Sequence, residues 1–146
     1  MFKLHKNILT KKEQKNLLDF IKIKVEYLGE EWPGLQTKNN LHTYKELEPF
    51  LNKIKKYIEP NTIKTCFANY TKGDYIAWHK HDNKYSIVYY LKNSKEIGVM
   101  FKKGKNGIEY TKGPENSLVI FDGNKIHSIP NTYEKINRYT IALNII

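Results

Sequence analysis

The chain has 146 residues, 25 Lys and Arg against 15 Asp and Glu, and a formal net charge of +10 at pH 7. That length suits one domain with a core of its own, and no apolar run approaches the ~20 residues that span a bilayer. The single cysteine, Cys66, excludes an internal disulfide and a Cys-based zinc cluster and suits a reducing compartment, so a cytoplasmic location with no membrane partner is expected. The positive charge can attract nucleic acid or another polyanion. The lysines are nevertheless spread along the whole chain and form no single basic block.

In chain order, Thr10 with Glu13 three residues on fits a capping box, and Leu17, Leu18, Ile21 and Val25 carry an apolar stripe to about Leu28. Residues 29–40 read as a loop, with a turn at Trp32-Pro33-Gly34. Thr43 and Glu46 make a second capping-box pattern ahead of Leu47, Phe50, Leu51, Ile54 and Ile58. Pro49 moves the expected helix start toward Glu48. From Thr62 the pattern changes to short β-branched and aromatic runs between turn signals. The expected strands are 63–70, 75–81, 86–91, 98–101, 108–110, 118–121, 126–129 and 138–145. Residues 1–60 then supply helical support and 61–146 an antiparallel core, all in one domain. The fold class is α+β, mainly β: a jelly roll with two N-terminal buttressing helices.

The chemistry centres on Gly73-Asp74-Tyr75-Ile76-Ala77-Trp78-His79-Lys80-His81-Asp82. On a strand, residues i and i+2 share a face, so His79 and His81 present two imidazoles together while Asp82 points away unless the strand ends or bulges. Two histidines on a solvated strand bind nothing by themselves. His127, just past the Asp122-Gly123 turn, can join them if the segments pair across a roll. Three imidazoles, or two with a carboxylate, form one face of an octahedron and leave open positions for other ligands. All but one of the 25 basic residues are Lys; the exception is Arg138. A guanidinium offers a bidentate fork for a carboxylate that Lys cannot mimic. Arg138, Thr140, Ala142 and Asn144 share one face of the last strand, and the small Thr140 and Ala142 leave room above them for a bound carboxylate.

These segments resemble the iron(II)- and 2-oxoglutarate-dependent oxygenases of the prolyl-hydroxylase-like type, best from Cys66 to Ile146. The matching stretches are Asn69-Tyr70-Thr71-Lys72-Gly73-Asp74 followed by His79, then Ser86 to Leu91, then Gly113 with Leu118 to His127, then Arg138 to Asn144. The resemblance implies a double-stranded β-helix and the use of iron(II), 2-oxoglutarate and O₂, with release of succinate and CO₂ and usually formation of an alcohol. It implies that His79 and His127 ligate iron and that Arg138 clamps the 2-oxoglutarate tail, with Tyr70 and Tyr90 donating hydroxyls. The family's usual His-x-Asp is His-x-His here. His81 is therefore expected as the second ligand, with Asp82 as the alternative. Trp78, Tyr85 and Tyr110 are candidates for the substrate mouth. Two other readings stand beside this one. One is a cupin-like three-histidine metalloprotein that does not use 2-oxoglutarate, which the absence of a glutamate after the histidine pair opposes. The other is a non-catalytic β-sandwich binding module. The substrate, whether protein side chain, nucleic acid or small molecule, stays open.

Overall fold

The computed structural model describes residues 2–27, 34–59, 61–130, 132 and 135–146. In chain order its elements are β1 (Phe2–Lys6), α1 (Lys11–Lys24), β2 (Glu26–Tyr27), β3 (Leu35–Gln36), α2 (Glu48–Ile54), β4 (Ile63–Thr71), β5 (Ile76–His79), β6 (Tyr85–Asn93), β7 (Ile97–Lys103), β8 (Gly107–Lys112), β9 (Ser117–Asp122), β10 (His127–Ile129) and β11 (Arg138–Ile145). Among the described residues no helix is long and apolar enough to cross a membrane.

The helices start for local reasons. At α1 the Thr10 hydroxyl accepts from the Glu13 N–H at 3.1 Å, and the Glu13 carboxylate accepts from the Thr10 N–H at 2.9 Å. This is the expected capping box. The helix ends at Lys24 with Val25 extended, short of the expected Leu28, which lies outside the described residues together with Trp32 and Pro33. The second capping box does not form. Thr43 donates its hydroxyl to the Asn40 carbonyl instead, and 41–43 and 45–47 are 3-10 turns. Pro49 is the reason: it has no N–H to bond the Lys45 carbonyl, so the α-helix begins at Glu48 with Pro in its first turn.

From β4 onward the chain passes back and forth between two antiparallel sheets, with the β7–β8 hairpin wholly in one of them, and the structure is a double-stranded β-helix. β4, β6, β9 and β11 lie in a seven-stranded sheet of order β1-β9-β6-β11-β4-β3-β2. β5, β7, β8 and β10 form a four-stranded sheet of order β5-β10-β7-β8. Three strands of the large sheet come from the N-terminal segment read as purely helical. β1 pairs along its length with β9, and β2 and β3 extend the far edge beyond β4.

The large sheet has two faces, set by the strand period of two. Ile141, Leu143 and Ile145 of β11, with Ile87 and Tyr89 of β6, pack in one cluster with Leu17 and Ile21 of α1 and Phe50 and Ile54 of α2. Each fully buried Leu or Ile contributes roughly 1.5–3 kcal/mol on removal from water, so this face anchors the fold. The opposite face meets the small sheet, and Tyr90, Val119 and Phe121 pack there against Val99, Phe101 and Ile129.

Candidate metal centre

Between the sheets lies a cavity of about 320 Å³ whose lining includes His79, His81 and His127 from one side and Thr71, Arg138 and Thr140 from the other. His79 and His127 face each other across the β5–β10 pair, their ring centroids 4.2 Å apart. His81 completes the group at 5.0 Å from His79 and 5.2 Å from His127. One ligand atom from each lies within 4.8 Å of the others. Bonds of ~2.1 Å to a common ion bring imidazole nitrogens to roughly 3–4 Å of each other, so the group closes on an ion by small side-chain movements.

The hydrogen bonds select the tautomer. His79 Nδ1 lies 2.7 Å from the Ala77 carbonyl and His127 Nδ1 lies 2.8 Å from the Lys125 carbonyl. A carbonyl only accepts, so each Nδ1 carries the proton and each Nε2 keeps its lone pair. Burial also disfavours charge. His127 is 5% exposed, and desolvation first, then its two histidine neighbours, pull its pKa down to about 4 against an opposing hydrogen bond to Lys125. Desolvation, then the charges of His79 and Lys64, lower His81 as well. Both are held as neutral bases. A set of three neutral nitrogen donors fits a divalent transition metal such as iron, nickel or zinc.

His81 reaches the group differently from the sequence expectation. β5 ends at His79, so His81 sits on the loop beyond, not on a strand face. Its backbone N–H is held 2.8 Å from the Gly123 carbonyl. Gly123 lies so close to Asn83 that a Cβ there would collide with the Asn83 backbone, which makes a side chain at 123 incompatible with this loop. Asp82 is exposed and does not belong to the cluster.

Arg138, at the start of β11, is 4% exposed and faces the cavity with Thr140, Ala142 and Asn144, as the alternation requires. Its guanidinium carbon lies 5.8 Å from the Tyr90 ring centroid, its Nε has no hydrogen-bond partner, and no carboxylate pairs with it among the described residues. Burial pulls its pKa down, opposed by the neighbouring Tyr90.

The two tyrosines expected beside it differ. Tyr70 is on the other face of β4: its ring packs 4.6 Å from Tyr139 and its hydroxyl donates to Asn137 Oδ1 at 3.2 Å. Asn69 and Thr71, its neighbours in sequence, line the cavity in its place, because a one-residue step on a strand reverses the face. Tyr90 is fully buried behind Arg138, its hydroxyl accepting the Val99 N–H at 3.3 Å, and it supports the guanidinium without lining the cavity. Trp78, Tyr85 and Tyr110 are not among the residues that line the cavity. Lys102 lies over the Trp78 ring at 4.5 Å, Tyr85 donates to the Tyr57 carbonyl at 2.7 Å, and Tyr110 is 70% exposed on β8. Sequence reasoning missed Asn69, Gly123 and Phe121, whose ring packs 4.9 Å from His127. The one signal for Asn69 was the strand period, applied one residue away from Tyr70.

No family model matches the chain, and no curated protein matches it in sequence. Solved structures do. A 2OG-Fe(II) oxygenase family oxidoreductase from Burkholderia pseudomallei superposes with TM-score 0.74 at 10% identity, covering 98% of this chain and 82% of its own. A prolyl hydroxylase from Trichoplax adhaerens, solved with a hypoxia inducible factor peptide, gives 0.68 at 14% identity over 99% and 83%. HygX from Streptomyces hygroscopicus, solved with nickel, 2-oxoglutarate and hygromycin B, gives 0.74 at 7% identity over 97% and 81%. Likeness of shape over nearly the whole chain, at identities this low, identifies a fold: this chain is built on the same double-stranded β-helix as those three proteins.

Proposed function

We propose that the chain is an iron(II)- and 2-oxoglutarate-dependent oxygenase, with His79, His81 and His127 as metal ligands and Arg138 as the anchor of the 2-oxoglutarate carboxylate. The observation that carries this reading is the pairing of the two groups in one cavity. A buried guanidinium without a carboxylate partner among the described residues faces the same space as three imidazoles within 4.8 Å of one another. A buried charge is costly unless it is compensated, and a dicarboxylate held at Arg138 would compensate it. The fold shared with a structure that holds nickel and 2-oxoglutarate supports the same conclusion.

Iron(II) bound at the histidines would supply the redox chemistry by which O₂, 2-oxoglutarate and a substrate C–H bond become succinate, CO₂ and an alcohol. One oxygen atom enters succinate and the other the product. The chain's own residues do the positioning. The carbonyls of Ala77 and Lys125 fix the orientation of two ligands, and Tyr90 backs the guanidinium. Thr140 and Ala142 leave space for the bound acid, and apolar walls such as Val88, Val99 and Ile129 restrict water. A three-histidine metalloprotein with no use for 2-oxoglutarate would leave the buried Arg138 charge without an anion among the described residues.

The test is succinate release from 2-oxoglutarate with iron(II), together with 2-oxoglutarate binding, across protein, nucleic-acid and small-molecule candidates. Binding of 2-oxoglutarate, with succinate formed when a substrate is present, is expected. A protein that binds no 2-oxoglutarate in the metal-loaded state is not this enzyme.

A further inference from the structure

The helices cover the outside of the large sheet. The outside of the small sheet instead exposes large side chains: Tyr110 is 70% exposed and Ile108 42%. Register decides which residues stand there. Val99 and Phe101 of β7 face the cavity side with Phe121 and Ile129, so Met100 and Lys102 face outward. Met100 pairs with Tyr110 and Lys102 with Ile108, and paired residues share a face, so both β8 side chains also stand outside. On β5, Ala77 and His79 line the cavity, and Trp78 between them points out. Trp78 meets Lys102 across the intervening β10, the Lys102 Nζ lying 4.5 Å from the ring centroid.

The β7–β8 hairpin, residues 97–112, carries four lysines and one acid. Lys102 and Lys112 stand on the outer face by the same alternation, and Lys103 and Lys105 are exposed at the turn. The acid, Glu109, pairs with Phe101 and so takes the other face. An aromatic strip edged by lysines complements a polyanion that also carries flat rings. Trp78 and Tyr110 stand on the first and last strands of this sheet, three strand spacings or about 14 Å apart, which leaves room for separate bases. The bases of a duplex stack on one another and do not reach side chains on a flat sheet. We propose that the outer face of the small sheet binds single-stranded nucleic acid, its bases stacking on Tyr110 and Trp78 and its phosphates meeting the hairpin lysines. This face is the reverse of the strands that carry His79 and His127, and binding there does not depend on what the cavity holds.

The test is fluorescence anisotropy of labelled oligo-dT and oligo-U of about 12 nucleotides, beside a duplex of the same length, titrated with the full chain. Single strands should bind at least about fivefold more tightly than the duplex, since one stacked base contributes that factor or more. Tyr110→Ala should weaken single-strand binding about fivefold or more, and Tyr110→Phe, which keeps the ring, should stay within about twofold of wild type. Measured from about 50 to 200 mM salt, Lys102→Gln with Lys112→Gln should lower the salt slope by about 1.4, at about 0.7 per phosphate. Lys45→Gln, on the turn before α2, should leave that slope unchanged. All the substituted side chains are exposed. No binding to either single strand, equal binding of single strand and duplex, or wild-type binding by Tyr110→Ala overturns the inference. A face that prefers phosphatidylserine vesicles to both oligonucleotides is a membrane contact, and that result overturns it too.

Discussion

The two faces of β11 make opposite use of the same strand. Ile141, Leu143 and Ile145 point to α1 and α2 and are sealed in the larger core. Arg138, Thr140, Ala142 and Asn144, one residue out of step, point into the cavity. The helix-side face is apolar and closed, and burial there stabilises the fold. The cavity-side face leaves space open and a guanidinium Nε without a partner among the described residues, which costs stability and suits a ligand. Fold and function are therefore separable along one strand, and substitutions on the two faces should fail in different ways.

The largest expected effect lies opposite the cavity-side face, at the histidines. His127→Ala removes a ligand outright, and should cost metal affinity more than the 10–100-fold typical of outer partners. Metal analysis after gel filtration reads this directly; full metal occupancy in the variant would remove the three-histidine site. At His127 itself proton competition should be weak at mildly acid pH, because burial pulls its pKa down to about 4. On the helix-side face, Ile141→Ala should cost about 2–4 kcal/mol of folding stability and leave nickel stoichiometry at one per chain. Denaturant melts and calorimetry measure the two halves of that statement, and lost metal binding in a protein still folded would break the separation.

Much of this was legible beforehand because it rests on local periodicity. The alternation at 138–144 assigned four residues to one face, and all four line the cavity. The Thr10–Glu13 cap is a contact three residues apart. What was illegible depends on distant partners. β1 is five residues long and exists by pairing Phe2 with Phe121 and Lys6 with Ser117, more than a hundred residues on. Tyr70 was assigned a role through resemblance, and its face is set by the register of β4 against β11, where Tyr70 opposes Tyr139 and Thr71 opposes Arg138. His81 was expected on a strand, but the contact that positions it is a single hydrogen bond to Gly123 across the turn.

Two smaller effects sharpen the comparison. Ala142→Leu adds bulk to the open face, where there is space for it. It should weaken 2-oxoglutarate binding by about tenfold while changing stability by less than ~1.5 kcal/mol, and equal binding would mean that the acid lies elsewhere. On the sealed face, burial pushes the Cys66 thiol up from 9.0 to about 12. A raised folded-state value means that stability is intact below pH 9 and falls as pH climbs toward 12. The loss from this group should reach about 1.4 kcal/mol near pH 10, and Cys66→Ala should remove that share. In the native protein at neutral pH, thiol reagents should leave Cys66 unlabelled.

The most direct measurement is a calorimetric titration of 2-oxoglutarate into nickel-loaded protein, wild type beside Arg138→Met. The account predicts one 2-oxoglutarate per chain in the wild type and an affinity lower by about a hundredfold in the variant, as loss of a charge-assisted bidentate contact requires. Equal affinity in the two proteins, or no binding to either, would contradict it.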